Sequence, residues 1–248
     1  MGKKDTLIVI TTYNHSDYTK LCLESIEKID TSTIDVCIID NCSTDDTEEV
    51  CKQFNVKFIG KEKTENLTHS INLAYDIFKK SDYTYLAISN NDVLIPDGAI
   101  QELKEALSFR PSSLVAPMST ENGCGHNKDQ SIDRIYGLDP ERANVENYQM
   151  VQDQLLELKR DITSKNNLYL LDPIRMKMFN GFFFMFHKRV KRCERSDGNI
   201  FDPKFANIKN EDEFNWKQLI PNNDFPLLCK TAFIYHFKGI TCTKELRF

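Results

Sequence analysis

The chain is expected to fold as an α/β protein, with a mostly parallel, Rossmann-like central sheet covered by helices on both faces. Three observations carry this expectation. The runs "TLIVITTY" (6–13), "DVCIID" (35–40), "VKFIG" (56–60) and "YTYLAIS" (83–89) are continuously apolar or β-branched, as strands buried on both faces are. Helix-period stretches fall between them, the alternation that builds parallel sheets. Polar clusters then close the runs at Thr11 to Asn14, Asp40 to Ser43 and Asn90 to Asp92, the carboxyl ends where such sheets hold ligands.

Taken in order, "SDYTKLCLESIEKI" predicts a helix with Ser16 as N-cap and Tyr18, Leu21, Cys22, Ile26 and Ile29 as its inward stripe. "STDDTEEVCKQF" predicts a second, capped by Ser43 or Thr44, and "THSINLAYDIFKK" a third. "PDGAIQELKEALSF" predicts a fourth, with Pro96 near its first turn and Ile100, Leu103 and Leu107 inward. Residues 119–134 are polar with glycines and read as a loop or lid. Residues 139–162 carry enough helix formers for a long polar helix. "FNGFFFMFHKRV" (179–190) reads as an aromatic strand, and "FDPKFANIKNEDEFNWKQL" as a carboxylate cluster before a short helix. "LLCKTAFIYHFKG" reads as a last strand ending in His236.

Charge and cysteine usage narrow the function classes. A net charge of −5, with acids and bases interleaved over 248 residues, leaves no basic face for a nucleic acid. Eight cysteines without a C-x-x-C pair read as reduced, buried thiols, with no disulfide required. The apolar run in "MGKKDTLIVITTYN" is too short for a signal-peptide core or a membrane span, so a soluble, cytoplasmic protein without a transmembrane segment is expected. "MGKKDT" fits the loose myristoylation pattern, although Thr6 also opens the first strand.

Several residues have two readings on local sequence. Neither G-x-G-x-x-G nor G-x-x-x-x-G-K-[ST] follows the first strand, which disfavours a dinucleotide or P-loop site. Asp40 in "IIDNCSTDDT" can accept the N–H of a uracil or guanine ring, or can close an Asx turn. Asp92, the sole carboxylate of "SNND", can hold a divalent cation or serve a turn. The acidic "NEDEF" can supply a general base or complement a helix dipole. His236 can be a ligand or a satisfied core histidine. Trp216 and Phe182 to Phe186 can form a sugar-stacking wall or core.

Together, "VITTYNHSDYTKLCLESI", "DVCIIDNCSTDDT" and "YLAISNNDVLIPDGAI" resemble the nucleotide-sugar half of the family 2 glycosyltransferases, and "NGFFFMFHKRV", "FDPKFANIKNEDEFNWK" and "HFKGIT" resemble the acceptor half. The resemblance implies a GT-A fold in one domain, 1–248, with residues 5–110 for the donor and 111–248 for the acceptor. It implies inverting transfer of a hexosyl or rhamnosyl group from a UDP-, dTDP- or GDP-linked sugar to a hydroxyl of a glycan or glycoconjugate, with Mn²⁺ or Mg²⁺. Thr11, Tyr13, Asp40, Asn72, Asn90 and Asn91 would bind the donor, and Asp92 and His236 the metal. Asp212 would be the general base, and Glu211 and Trp216 would contact the acceptor, with Glu213 a competitor of Asp212. Asn66 stands where the family has a glycine over the diphosphate, and Asn90-Asn91-Asp92 replaces D-x-D as in rhamnosyltransferase-like members. A scaffold that kept the fold and lost transfer is the alternative. A sugar nucleotidyltransferase would want a basic glycine loop, which "ITTYNHSDY" does not offer. The sequons at Asn41 and Asn66 fall in the expected donor cleft, so a non-glycosylating compartment is expected.

Overall fold

A computed structural model describes residues 3–109, 112–124, 128–136, 143–161, 168–170, 179–205, 214–238 and 240. The predicted first strand is β1, Thr6–Thr12, and the next three are β2, Ile34–Asp40, β3, Lys57–Gly60, and β4, Tyr85–Asn90. The helices between them are α1, Ser16–Glu27, α2, Thr47–Cys51, and α3, Leu67–Lys79. After the two-residue β5, Val93–Leu94, comes α4, Ala99–Phe109, and then β6, Leu114–Met118. The second half adds α5, Glu121–Cys124, α6, Ile132–Tyr136, α7, Tyr148–Asp161, and β7, Leu168–Leu170. The chain then gives β8, Phe183–His187, β9, Leu227–Phe233, and β10, Tyr235–His236.

Eight strands form one sheet in the order β3-β2-β1-β4-β8-β6-β9-β7. The pairs β1·β2, β1·β4, β2·β3 and β6·β9 are parallel, while β8 runs antiparallel between β4 and β6 and β7 closes the far edge antiparallel to β9. Side-chain alternation along each strand divides the core in two. Leu7, Val9, Cys37, Ile39, Leu86 and Ile88 face α3 and α7 on one side, and Ile8, Ile10, Ile38 and Ala87 face α1, α2 and α4 on the other. Each fully buried Ile or Leu contributes about 1.5–3 kcal/mol, while the edge strand β3 is only partly covered and carries Lys57 at its start.

The caps and stripes differ from expectation in instructive ways. The N-cap of α1 is His15 in the left-handed region, not Ser16, and the Ser16 N–H is satisfied by the Asp45 carboxylate at 2.9 Å. Asp45 also accepts the N–H and hydroxyl of Thr47, so it rather than Ser43 or Thr44 closes the start of α2. The buried face of α1 is Thr19, Cys22, Leu23, Ser25 and Ile26, and Tyr18 and Leu21 sit half-buried at its margin. In α4, Ile100, Leu103 and Leu107 point inward as expected.

The described residues of the expected loop at 119–134 are tied into the fold. Ser119 bridges to Ser131, Asp133 accepts the Glu121 N–H, and the buried Gln130 amide donates to Pro117 O and accepts the Asn180 N–H. Polar residues that looked solvent-facing are spent on internal hydrogen bonds. The long polar helix begins only at Tyr148, because the side chains of Asn144 and Asn147 fold the preceding turn on itself. Gln152 then brackets β9, donating to Thr231 O and accepting the Phe233 N–H. The expected last strand is broken at Ile234, whose N–H bonds Met118 O, leaving β10 free to pair antiparallel with β5. The seven described cysteines are free thiols, and Cys242 lies outside the described residues.

At the end of β8, His187 accepts the Arg189 N–H through Nδ1, and its Nε2 lies 3.3 Å from the Arg189 guanidinium. Burial, and then that guanidinium, push its pKa down to about 4. The unfolded chain, with a histidine near 6.5, therefore binds the extra proton between about pH 4 and 6.5, and stability falls as pH drops through that window. His187→Asn keeps an acceptor at the cap but cannot be protonated. Its urea midpoint should fall less than that of the unsubstituted protein between pH 7 and 4.5; equal losses would remove His187 from the acid limb.

Candidate active site

The sheet changes direction of winding at β1, with β2 on one side and β4 on the other, and the crevice at a switch point of this kind is where α/β sheets bind ligands. Register brings the expected residues to its rim. Thr12 lies opposite Asp40, and Thr11 opposite Asn90.

The Asp40 carboxylate is fully engaged on the protein side. Oδ1 accepts the hydroxyls of Thr12 and Ser43, and Oδ2 accepts the Ser43 N–H at 2.9 Å. The backbone bond spans three residues, one more than an Asx turn, and the set leaves acceptor capacity only on Oδ2. Thr11 is nearly buried and donates to Ser89 O at 3.3 Å, while Tyr13 stays half-exposed on the adjoining loop. That loop is strained. Asn14, His15, Cys42 and Lys238, four of the five described non-glycine residues with left-handed φ, border this cleft. Asn14 tolerates the conformation because its side chain accepts the Thr44 N–H and its own N–H bonds Ser43 Oγ.

Asn41 and Asn66 do local work. The Asn41 carboxamide is 9% exposed, donates to Glu65 O at 2.7 Å and accepts the Glu65 N–H and Lys61 Nζ. Asn66 caps α3 by accepting the His69 N–H with φ −69°, so the position that holds a glycine in the family needs none here. Asn72 is set back from the cleft: its amide donates to Phe201 O and accepts the N–H groups of Ile200 and Phe201, fastening that segment to α3. Asn91 is fully buried and donates to Thr19 Oγ1 at 3.0 Å and Asn14 O at 3.3 Å, so it supports the site from behind. Asn90 remains half-exposed at the strand end, its N–H held by Phe182 O.

Asp92 is different from every other acid of the rim. Its side chain is 1% exposed, and its Oδ1 accepts no hydrogen bond. The β5·β10 ladder, which pairs His236 with Val93, carries His236 Nε2 to 3.3 Å from that oxygen. His236 Nδ1 lies 2.8 Å from Gly123 O, and a carbonyl can only accept, so Nδ1 carries the proton. Nε2 then faces the carboxylate across 3.3 Å, with a lone pair if the ring is neutral and with an N–H if it is charged. In that dry site the carboxylate has to be met either by the Nε2 proton or by a cation. Phe182 stacks on the imidazole at 4.7 Å and 13°, and burial together with the nearby Asp92 charge pushes the Cys22 thiol up, which marks the surroundings as apolar. A histidine held at one nitrogen by a carbonyl, with the other facing a carboxylate, is an arrangement that metal-ligating histidines share with His–Asp ion pairs. Among the described residues no group of three or more His, Cys, Asp or Glu could hold a metal by itself, so a cation here would complete its shell from elsewhere, as divalent ions do with phosphates and water.

Beyond His236, an open groove of about 430 Å³ is lined by Thr120, Glu121, Asn122, Asn144 and Tyr235. Of the acceptor-side residues, Glu211, Asp212 and Glu213 lie outside the described residues, as does the side chain of Trp216, whose backbone belongs to a π-helical turn at Asn215–Leu219. The aromatic run resolves as core: Phe183, Phe184 and Phe186 are fully buried, and only Phe182 reaches the site, through His236.

Residues 7–193 match the profile of Glycosyl transferase family 2. The chain belongs to that family. It is 23% identical over 134 residues to Glycosyltransferase GlyG of Streptococcus pneumoniae serotype 4, covering 52% of this chain and 42% of GlyG. Its fold is similar to the mannosyltransferase PcManGT of Pyrobaculum calidifontis, solved with GDP-Man and Mn²⁺, with TM-score 0.61, 12% identity, and coverage of 97% of this chain and 59% of that one. It is similar also to residues 1–349 of S. aureus TarS in complex with UDP-GlcNAc, with TM-score 0.61, 14% identity, and coverage of 93% and 58%. The chain thus spans about half the length of these relatives. The α/β architecture is that of GT-A proteins.

Sequence reasoning passed over Gly123. A Cβ there would stand 2.5 Å from Ser119 Oγ and 3.2 Å from both Cβ and O of His236. Gly123→Ala should therefore cost about 1–3 kcal/mol by overpacking and shift the imidazole. Chemical denaturation checks the cost, and the His236 ring signals in an NMR spectrum check the shift; unchanged stability and unchanged signals would show that the helix gives way instead.

Proposed function

We propose that this family 2 member transfers a sugar from a nucleotide-sugar donor to a hydroxyl of a glycan or glycoconjugate, with inversion, and that Asp92 and His236 hold a divalent cation, Mn²⁺ or Mg²⁺, against the donor diphosphate. The observation that carries the reading is the buried Asp92 Oδ1, without a hydrogen bond, facing His236 Nε2 at 3.3 Å at the sheet's switch point. When bound, the cation would offset charge on the departing nucleoside diphosphate. In this reading Thr11 and Tyr13 border the nucleoside, and Asp40 uses its spare Oδ2 lone pair toward the base. Asn90, at the exposed end of β4, hydrogen-bonds the ribose, and its neutrality reduces the charge offered to the cation compared with a D-x-D pair.

Asp212 is the proposed base on the strength of its place in "NEDEF". It takes the proton from the acceptor oxygen as that oxygen attacks the anomeric carbon, and the glycosidic bond to the diphosphate breaks. The groove at Thr120, Asn122 and Asn144 adjoins His236 and would admit the acceptor. PcManGT and TarS were solved with GDP-Man and UDP-GlcNAc respectively, which is why GDP- and UDP-sugars come first for assay; a dTDP-linked rhamnosyl donor follows from the N-N-D sequence. A reducing, non-glycosylating compartment is proposed because the Asn41 amide is already bonded to Glu65. Among the described residues no helix is long and apolar enough to cross a membrane.

Asn90 also favours a second reading, a nucleotide-binding protein without transfer. Donor hydrolysis with and without metal separates the two. Asp212→Asn keeps the size of the side chain but accepts no proton, so it should lower kcat by about 10²–10⁴-fold with donor affinity nearly unchanged. Glu213→Gln should be close to neutral in the same assay. Normal turnover by Asp212→Asn would move the base elsewhere. Asp40→Ala should weaken donor binding by about one to two decades, the loss expected for a charge-assisted hydrogen bond, when titrated calorimetrically; unchanged affinity would leave Asp40 a turn residue only.

A further inference from the structure

Asp92 and His236 are attached to strands of two residues each, and a ladder that short is not rigid by itself. Consecutive residues of α1 hold both neighbours. Thr19, fully buried, accepts the hydrogen bond from Asn91, the residue before Asp92. Tyr18 meets the ring of Phe237, the residue after His236, edge to face at 5.0 Å and 80°. Phe237 is gripped further by Tyr235 at 5.1 Å, and its N–H donates to Asp92 O at 3.0 Å. The Tyr18 hydroxyl makes no hydrogen bond among the described residues, so its ring is the part in use. Packing of α1 does not explain the position, because Tyr18 lies outside the buried face formed by Thr19, Cys22, Leu23 and Ile26.

We propose that Tyr18 and Thr19 are positioning residues which set the separation of Asp92 Oδ1 from His236 Nε2, so that α1 governs divalent-cation affinity without touching the cation. The inference rests on the cation reading above. Residues that orient metal ligands typically change affinity by about 10–100-fold when altered.

The test is Mn²⁺ uptake, followed by electron paramagnetic resonance of free Mn²⁺ with UDP or GDP present, beside nucleotide affinity measured in EDTA. Tyr18→Ala should weaken Mn²⁺ binding by about tenfold or more while nucleotide affinity in EDTA stays unchanged, and Tyr18→Phe should bind Mn²⁺ as the unsubstituted protein does. Thr19→Val, which keeps shape and removes the acceptor of Asn91, should weaken Mn²⁺ in the same way and serves if Tyr18→Ala fails to fold. Unaltered Mn²⁺ affinity in both Tyr18→Ala and Thr19→Val would overturn the inference, as would equal losses in Tyr18→Phe and Tyr18→Ala, or parallel loss of metal and nucleotide binding. If the unsubstituted protein takes up no Mn²⁺ with either nucleotide, the cation reading itself fails and this inference with it.

Discussion

A buried carboxylate with an unbonded oxygen is the constraint on which the rest of the site depends. An ionised acid in an apolar setting costs several kcal/mol unless a proton donor or a cation meets it, and His236 Nε2 is the group that faces Asp92 Oδ1, at 3.3 Å. Here the surroundings of Asp92 are arranged toward one approach. Phe182 closes one side of His236, Gly123 lets α5 come close enough for its carbonyl to accept the Nδ1–H hydrogen bond, and β10 turns away from the main sheet to deliver Nε2. The break at Ile234, which a continuous strand would not need, makes that delivery possible.

The neighbouring rim is built on the opposite principle. Asp40, Asn41 and Asn14 have most of their polar capacity spent on the protein, with one Oδ2 lone pair of Asp40 left over, lacing the ends of β1 and β2 to the loops that follow. Those bonds hold Asn14, His15 and Cys42 in left-handed backbone, a conformation that costs of order 1–3 kcal/mol at each non-glycine residue. A pre-shaped rim of this type can accept a nucleoside without reorganising, whereas the Asp92 and His236 pair is incomplete by itself. Rigidity on one side of the crevice and a buried carboxylate beside a histidine on the other suit a ligand with a planar hydrogen-bonding ring at one end and cation-bound phosphates at the other.

The sheet's first half was legible because buried parallel strands write themselves as unbroken apolar runs and end at polar residues. The aromatic strand around Phe184 was legible for the same reason. Caps were less so: Asp45 serves the start of α2 from two residues away, and the start of α1 from 29 residues away, which no local pattern reports. Residues 119–134 looked like a free loop because Gln130 and Asp133 are polar, yet their partners, Pro117, Glu121 and Asn180, are fixed only by the tertiary fold. Asp92 and His236 were each legible as candidates through family resemblance. Their pairing was not, since it arises from a ladder between two-residue strands that carry no periodicity. Tyr18 was read as core because helical spacing alone cannot tell a buried face from its margin.

The most direct measurement of the central claim is an anomalous-scattering map at the manganese edge, from crystals grown with Mn²⁺ and UDP or GDP. The account predicts a single strong peak at coordination distance, about 2 Å, from both Asp92 Oδ1 and His236 Nε2, with the diphosphate completing the shell. A nucleotide bound in the crevice with the peak absent, or with the peak placed away from Asp92, would contradict it.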